Sequence, residues 1–360
     1  MSGMVTLEAD RPQGLRQPAA LRPGDRVAVM SPSWAAPAHF PEIHEQALAR
    51  IRSELGLEPV ELPTTRRDSS PAERAADLNA AFADPSIRAI LATIGGDDQI
   101  TVLPHLDPAT LAEPTWFAGY SDNTNLLNWL WYHGVASLHG GSTQVHLGPR
   151  TAPDPGHLAS LRAALFGGEL ALKPASRTYD LGIPWDDERA LVEDPPDDPA
   201  EPWTWVGDSG PVRGPTWGGN LEILTWTLAV SRFVHPAPAY SGCVLILESS
   251  EEHPPPQEIY RMLRLLGERG ILEVAAALVW ARPFVLESRE AGPRGEAAAP
   301  LRAAYRAAVL QAVEQYHPGL PVVLDVDFGH TSPQWVLPYG GDLTVDVGSQ
   351  RLVAHFTDPV

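Results

Sequence analysis

A chain of 360 residues with 44% hydrophobic and 20% charged side chains has globular composition, and its length exceeds what one core comfortably serves, so two domains are expected. The formal net charge of −19 argues against a binder of nucleic-acid polymers or anionic membranes, while leaving room for a small nucleotide held locally. The single cysteine, Cys243, excludes an internal disulfide and a cysteine-based zinc cluster, and no run of eighteen apolar residues is present to span a membrane.

Residues 1–21 have no apolar core and no signal-peptide layout, which predicts a short mobile leader on a cytoplasmic protein. Residues 22–171 then alternate between strand and helix patterns. The apolar run 26–30 ends at Ser31-Pro32-Ser33, and residues 44–55 and 71–82 have helical spacing. Residues 87–94 read as a buried strand that stops at Gly95-Gly96-Asp97-Asp98; 115–118 read as a strand and 123–133 as a helix. This alternation predicts an α/β domain with a largely parallel sheet and a site beyond the strand C-terminal ends. Residues 172–215 break the pattern. The stretch 194–202 is proline-rich and acidic, yet Trp185, Trp203 and Trp205 crowd the region, with Trp217 just beyond it. Such a segment reads as a structured loop that covers a site or packs a seam between domains. A second α/β domain is expected over 216–360, with helical spacing at 220–229, 256–269 and 301–316. Its strands read at 244–247, 275–280 and 322–326, and residues 287–300 read as an exposed low-complexity insertion.

Three polar side chains follow apolar strands: Ser121, Glu248 and His330. In the segment 117–133 a strand turns into a helix at Ser121. A serine there meets unpaired N–H groups and a positive dipole end, where a developing oxyanion is stabilised. The same Ser and Asp before an apolar run also fit an ordinary helix N-cap. Serine attack on a carbonyl needs a base, usually histidine, and the base needs a carboxylate to orient it. The order Ser121, Glu248, His330 is compatible with that arrangement. The backbone N–H of Asp122 and those of Gly95-Gly96 are available as oxyanion donors. Other chemistries fit less well. No phosphate-loop or dinucleotide fingerprint is present, and His133, His139 and His146 do not have zinc-helix spacing. The pairs Asp97-Asp98 and Glu251-Glu252 read as solvated turn residues rather than metal ligands. No metal or cofactor is expected.

Read in order, Ser31-Pro32-Ser33, Ile94-Gly95-Gly96-Asp97, Gly119-Tyr120-Ser121-Asp122, the run from Thr216 to Leu221, Leu247-Glu248 and the run from Asp327 to Thr331 resemble the successive motifs of the LD-carboxypeptidase family. That family includes the microcin C immunity peptidases, and the likeness extends from about residue 22 to the C-terminus. The resemblance implies a flavodoxin-like N-terminal domain, a C-terminal α/β domain, a site between them and a homodimer. It implies a metal-free serine peptidase with Ser121 as nucleophile, His330 as general base and acid, and Glu248 as the orienting carboxylate. It also implies an oxyanion hole from the backbone of Gly96 and Asp122, with Gly95 and Asn220 contacting substrate.

Two small-molecule substrate classes come with the family: L,D-linked murein tetrapeptides, and aminoacyl- or peptidyl-nucleotide conjugates. The long, tryptophan-bearing loop resembles the second branch more closely. Trp185 is the candidate for stacking on a purine, a contact that contributes about 1–3 kcal/mol per base, with Trp203 or Trp205 as alternatives. Ala281-Arg282-Pro283 departs from the family's usual glycine followed by Lys or Arg. The glutamate that contacts the substrate α-amino group has no clear counterpart, and Glu287 is one candidate. If His330 is the base, activity should fall through an acid limb near the ordinary imidazole value of about 6.5.

Overall fold

The computed structural model describes residues 15–207, 210–286 and 295–359. Apolar runs bounded by Gly, Pro and Ser form the strands of a first sheet: β1 (Arg26–Met30), β2 (Glu58–Glu61), β3 (Ile87–Ala92), β4 (Trp116–Gly119) and β5 (Ser137–His139). They lie in the order β2-β1-β3-β4-β5 and are all parallel, which is the flavodoxin-like order. Crossovers run through the helices Pro41–Leu55, Pro71–Ala83 and Thr124–Tyr132, while short 3-10 turns over Gln99–Thr101, Leu103–His105 and Pro108–Leu111 carry the chain from β3 to β4. Local sequence explains where the second of these helices starts. Pro71 occupies its first turn, and Ser70 and Glu73 satisfy each other's backbone N–H in a capping box.

The rest of the chain supplies β6 (Glu169–Leu172), the two-residue strands β7 (Arg177–Thr178) and β8 (Asp198–Pro199), β9 (Thr204–Val206), β10 (Val212–Asn220), β11 (Val244–Glu248), β12 (Ala277–Ala281), β13 (Val322–Val326), β14 (Leu337–Tyr339), β15 (Asp342–Asp346) and β16 (Arg351–His355). An eight-stranded sheet runs β6-β16-β15-β10-β11-β12-β13-β9. Its centre, β10 to β13, is parallel, and its flanks are antiparallel. Two edge strands are exchanged between the halves. β6 joins the second sheet, while β14 returns to the first and pairs with β5.

Further contacts close the seam. The Trp217 indole N–H donates to Asn128 Oδ1 at 3.0 Å, and the Asn220 N–H to Thr124 Oγ1 at 2.9 Å. Gly219, at φ +101°, permits the second contact, because a Cβ there would stand 2.7 Å from Thr124 Oγ1.

Three structural details go against or beyond the sequence expectation. Residues 15–21, assigned to a mobile leader, form an ordered strap: Arg16 bridges to Val135, the Leu21 N–H donates to Leu165 O, and Ala20 and Leu21 are buried. Trp203 and Trp205 lie within the segment read as loop, yet Trp205 belongs to a strand of the second sheet. Trp203 is buried, and its indole N–H donates to Asp327 Oδ2 at 2.8 Å. Arg282, which follows the departure at Ala281, is buried too, with Nε 2.8 Å from Asp327 Oδ1 and Nη2 donating to Glu201 O at 2.9 Å.

A charge pair this deep is tolerated because other bonds support it: Asp327 also accepts the Ala175 N–H at 3.0 Å. Truncation of one partner strands the other charge. Arg282→Ala is expected to lower the unfolding free energy by about 3–5 kcal/mol, measured by urea denaturation. A loss under about 1 kcal/mol would show that the pair adds nothing to this corner of the fold.

Candidate active site

The chain leaves β4 through Tyr120 and enters a 3-10 turn, Ser121–Asn123, before the helix Thr124–Tyr132. Ser121 has φ +61°, a left-handed conformation that costs a non-glycine residue about 1–3 kcal/mol unless neighbours over-determine it. They do. The Asp122 carboxylate is fully buried and accepts from Ser33 Oγ, from the Gln99 N–H at 2.9 Å and from Asn125 Nδ2 at 2.9 Å. Asn123 Nδ2 donates to Ile94 O and Tyr120 O, both at 3.0 Å, while its Oδ1 accepts from Gln99 Nε2 at 2.8 Å. Burial raises the Asp122 carboxyl above its ordinary value despite these donors. Neither the turn nor the helix has a side-chain N-cap bond, so the ordinary capping role considered for Ser121 and Asp122 is not used.

Gly95 and Gly96 pack against this turn. A Cβ on Gly95 would stand 2.8 Å from Ser121 Cβ and 3.2 Å from the Asp122 nitrogen. One on Gly96 would meet Ser33 Oγ at 2.1 Å. The glycines thus let the β3 loop lie directly on the serine and the backbone N–H that follows it.

The other two residues come from the second sheet. Glu248 ends β11 and is fully buried; His330 stands in the turn after β13. His330 Nδ1–H donates to Glu248 Oε2 at 2.6 Å. The imidazole packs on the Tyr120 ring with centroids 4.9 Å apart, which brings it beside the Ser121 turn. Its Nε2 lies 3.0 Å from Glu251 Oε2, without the alignment of a hydrogen bond. Burial opposes the imidazolium, but Glu248, Glu251 and more distant Glu222 outweigh it and raise His330 to about 9. His330 thus holds its proton to higher pH than the 6.5 of an ordinary imidazole.

Ser121 and His330 line one cavity of about 370 Å³ with Gly95, Gly96, Tyr120, Glu251, Trp34 and Trp185. Trp185 meets Phe40 edge-on at 5.5 Å, and Phe40 in turn meets Trp34 at 6.1 Å, giving the cavity an aromatic rim. Trp203 and Trp205 are not among its lining residues. Asn220 is not either: it is buried, and its Oδ1 accepts the Ile223 N–H at 2.9 Å as the cap of the helix Leu221–Ala229. Glu287 lies outside the described residues. Sequence reasoning missed Trp34, although it directly follows Ser31-Pro32-Ser33 at a strand end. It also read Glu251 as a solvated turn residue; Glu251 does stand exposed on a turn, and its carboxylate in addition faces His330. A larger cavity of about 530 Å³ shares Arg150, Tyr179 and Pro195 with this one but holds none of Ser121, Glu248 or His330.

Behind Tyr120 lie three histidines, the buried His139 and His157 and the half-buried His146. Tyr120 touches the first two, and the rings of His146 and His157 stack at 4.4 Å. Burial lowers His139 and His157 to about 4, and His146 well below its ordinary value. They form a neutral layer, and among the described residues no His, Cys, Asp and Glu cluster is arranged to hold a metal.

Comparison with known proteins agrees with this architecture. The LD-carboxypeptidase N-terminal domain matches residues 27–140 and the LD-carboxypeptidase C-terminal domain residues 213–345. A Streptomyces coelicolor relative that carries a carboxypeptidase name is 30% identical over 359 residues, covering 94% of this chain and 96% of its own. The microcin C7 self-immunity protein MccF of Escherichia coli is 28% identical over 290 residues, 78% of this chain and 77% of its own. A Bacillus subtilis relative named for murein-peptide carboxypeptidase activity is 26% identical over 348 residues, 94% of this chain and 93% of its own. Among solved structures, an MccF-like protein from Streptococcus pneumoniae in complex with AMP superposes with a TM-score of 0.81 at 23% identity, covering 92% of this chain and 99% of its own. MccF in complex with aspartyl sulfamoyl adenosine has a TM-score of 0.78 at 22% identity, covering 95% and 99%. This chain belongs to the LD-carboxypeptidase family, with the MccF-like fold.

Two predictions follow from the site's packing. Gly95→Ala is expected to displace the Ser121 turn and reduce turnover about a hundredfold, the scale of a 1 Å misplacement. Circular dichroism should stay native, and wild-type kinetics in the variant would show that the close approach is dispensable. The second concerns pH. The folded values of His139 and His157 lie below 6.5, so the unfolded chain protonates first as pH falls. Their stabilising contribution is complete above about 6.5 and is lost as pH falls toward about 4. The urea midpoint should therefore drop between pH 7 and pH 5; a constant midpoint over that window would contradict the buried neutral layer.

Proposed function

We propose that this protein is a serine amidase that hydrolyses the amide joining an aminoacyl or peptidyl group to a nucleotide-like moiety, detoxifying microcin C-type compounds. One observation carries the reading: a serine held at positive φ on a strand-turn-helix elbow lines the same aromatic-rimmed cavity as a histidine bonded to a buried glutamate. In this mechanism His330 Nε2 takes the Ser121 proton as Oγ attacks the carbonyl carbon. Glu248 holds the ring's orientation and stabilises the imidazolium. The N–H groups of Asp122 and Gly96 receive the oxyanion, and Gly95 keeps the approach to Ser121 open. His330 then protonates the leaving nitrogen, and water, activated by the same imidazole, releases the acyl group.

The nucleotide half of the reading is supported by Trp185 and Trp34 on the cavity rim, by the similarity to MccF, and by solved MccF-type complexes with AMP and aspartyl sulfamoyl adenosine. Asn220 acts in this reading through the helix that it caps rather than by touching substrate. In this reading the enzyme works without metal and as a homodimer, as the family resemblance implies, and in the cytoplasm, as the N-terminal sequence suggests. A second reading keeps the mechanism and changes the substrate to an L,D-murein tetrapeptide, releasing its terminal D-residue. The Bacillus subtilis relative supports it.

Mass spectrometry of products from both substrates separates the readings. Wild type is expected to release free amino acid from an aminoacyl sulfamoyl adenosine, and Ser121→Ala is expected to release none. Trp185→Ala should raise KM for that substrate about tenfold, within the range of a lost base stack. Ser121-dependent release of D-alanine from the tetrapeptide alone would assign the chain to cell-wall recycling. Turnover unaffected by Ser121→Ala would overturn the mechanism in either form.

A further inference from the structure

Both ring nitrogens of His330 face carboxylates, and the two carboxylates differ in freedom. Glu248 is fully buried at the end of β11. Glu251 is 58% exposed at the side chain and stands on the turn just beyond that strand. The root of the turn is tied down, because Ser250 N–H and Oγ both donate to Glu222 Oε1, at 2.8 and 2.7 Å. Glu251 projects from this anchored root into the cavity, with Oε2 3.0 Å from His330 Nε2 and no other ion-pair partner among the described residues. An imidazolium ion-paired on both sides in this way keeps its Nε2 proton and has no lone pair to offer Ser121.

The remaining charges of the cavity point the same way. Its described lining includes three carboxylates, of Glu251, Glu193 and Asp180, against the single guanidinium of Arg150. Arg150 is already bonded to Asp194 at 2.7 Å, and Asp180 accepts two backbone N–H groups, from Val285 and Leu286. A cation entering the cavity therefore meets Glu193 and can compete with His330 for Glu251, whereas an added carboxylate meets like charge.

We propose that Glu251 is a latch on His330 that a positively charged acyl side chain of the substrate draws away, so that the enzyme favours substrates whose acyl side chain carries a cation. The proposal rests on the roles given above to Ser121, His330 and Glu248. When the substrate cation pairs with Glu251, the Nε2 proton passes to water and His330 becomes the base that accepts the Ser121 proton. Glu251 is a positioning residue in this scheme; it acts through His330 and through the substrate's charge. The other titratable groups facing His330 are Glu222, Tyr120, His139 and His146. Burial holds Tyr120 protonated and His139 and His146 neutral at working pH. Glu222 is fixed by Ser250, so Glu251 is the group a ligand can move.

The test compares lysyl and aspartyl sulfamoyl adenosine, which share the α-ammonium and differ in side-chain charge, on wild type and Glu251→Gln across pH. Wild type should favour the lysyl substrate at least about tenfold in kcat/KM, the effect of one unit of differential charge interaction. Its acid limb in kcat/KM, which reports the free enzyme, should lie above the limb in kcat, which reports the complex. Glu251→Gln should lower the kcat/KM limb by about one pH unit or more and bring the two substrates close to parity. A variant that keeps the wild-type limb and the wild-type preference overturns the latch while leaving the reading of the site intact. Absence of Ser121-dependent turnover on both analogues and on the murein tetrapeptide is a different result, and it overturns the reading of the site and the latch together.

Discussion

The left-handed backbone at Ser121 is the constraint on which the site depends. A serine does not hold that conformation unaided. It is held because the next two side chains, Asp122 and Asn123, are buried and bonded to three separate segments: the Ser33 loop, the Ile94 strand end and the Gln99 turn. A buried carboxylate is costly unless its acceptors are filled, and here each bond that fills them also fixes the turn. The glycines at 95 and 96 are the steric counterpart, since any side chain there would collide with the serine or with Ser33.

The second requirement is that two sheets meet with their strand ends facing one cavity. Parallel strands collect polar turns at their C-terminal ends, so each sheet delivers part of the site. The exchanged edge strands β6 and β14, with the Trp217–Asn128 and Asn220–Thr124 bonds, tie the sheets together across the seam. Asn220 is more informative in this light than as a ligand contact. It starts a helix and at the same time anchors β10 to the helix that follows Ser121.

Electrostatics then differentiates residues of one type. Three histidines behind Tyr120 are neutral because burial disfavours their charge, while His330, equally enclosed, is charged because carboxylates face it. Glu248 and Glu251 differ in the same way: one is locked in the core, the other stands in solvent. Position and partner, rather than residue type, set what each group can do.

Much of this was legible locally. Strand-helix alternation, the apolar runs and the turn residues are short-range patterns, and they identify an N-terminal α/β domain with polar residues at its strand ends. The ordered motifs around Ser121, Glu248 and His330 pointed to the family because each is a contiguous stretch. Other features depended on contacts between residues far apart in the chain, to which periodicity is blind. The strap at 15–21 is ordered by Val135 and Leu165, Trp203 is buried by Asp327, and Arg282 finds its counter-charge 45 residues onward. Glu251 follows the same rule. In sequence it is one of two acidic residues in a turn, and only the packing of β11 beside β12 and β13 brings it opposite His330. The sequence by itself determined which segments become strands and helices and which turns carry reactive side chains, because those depend on neighbours along the chain. The tertiary structure decided which of those side chains share a cavity and which are charged within it, because burial and Coulomb energy depend on neighbours in space.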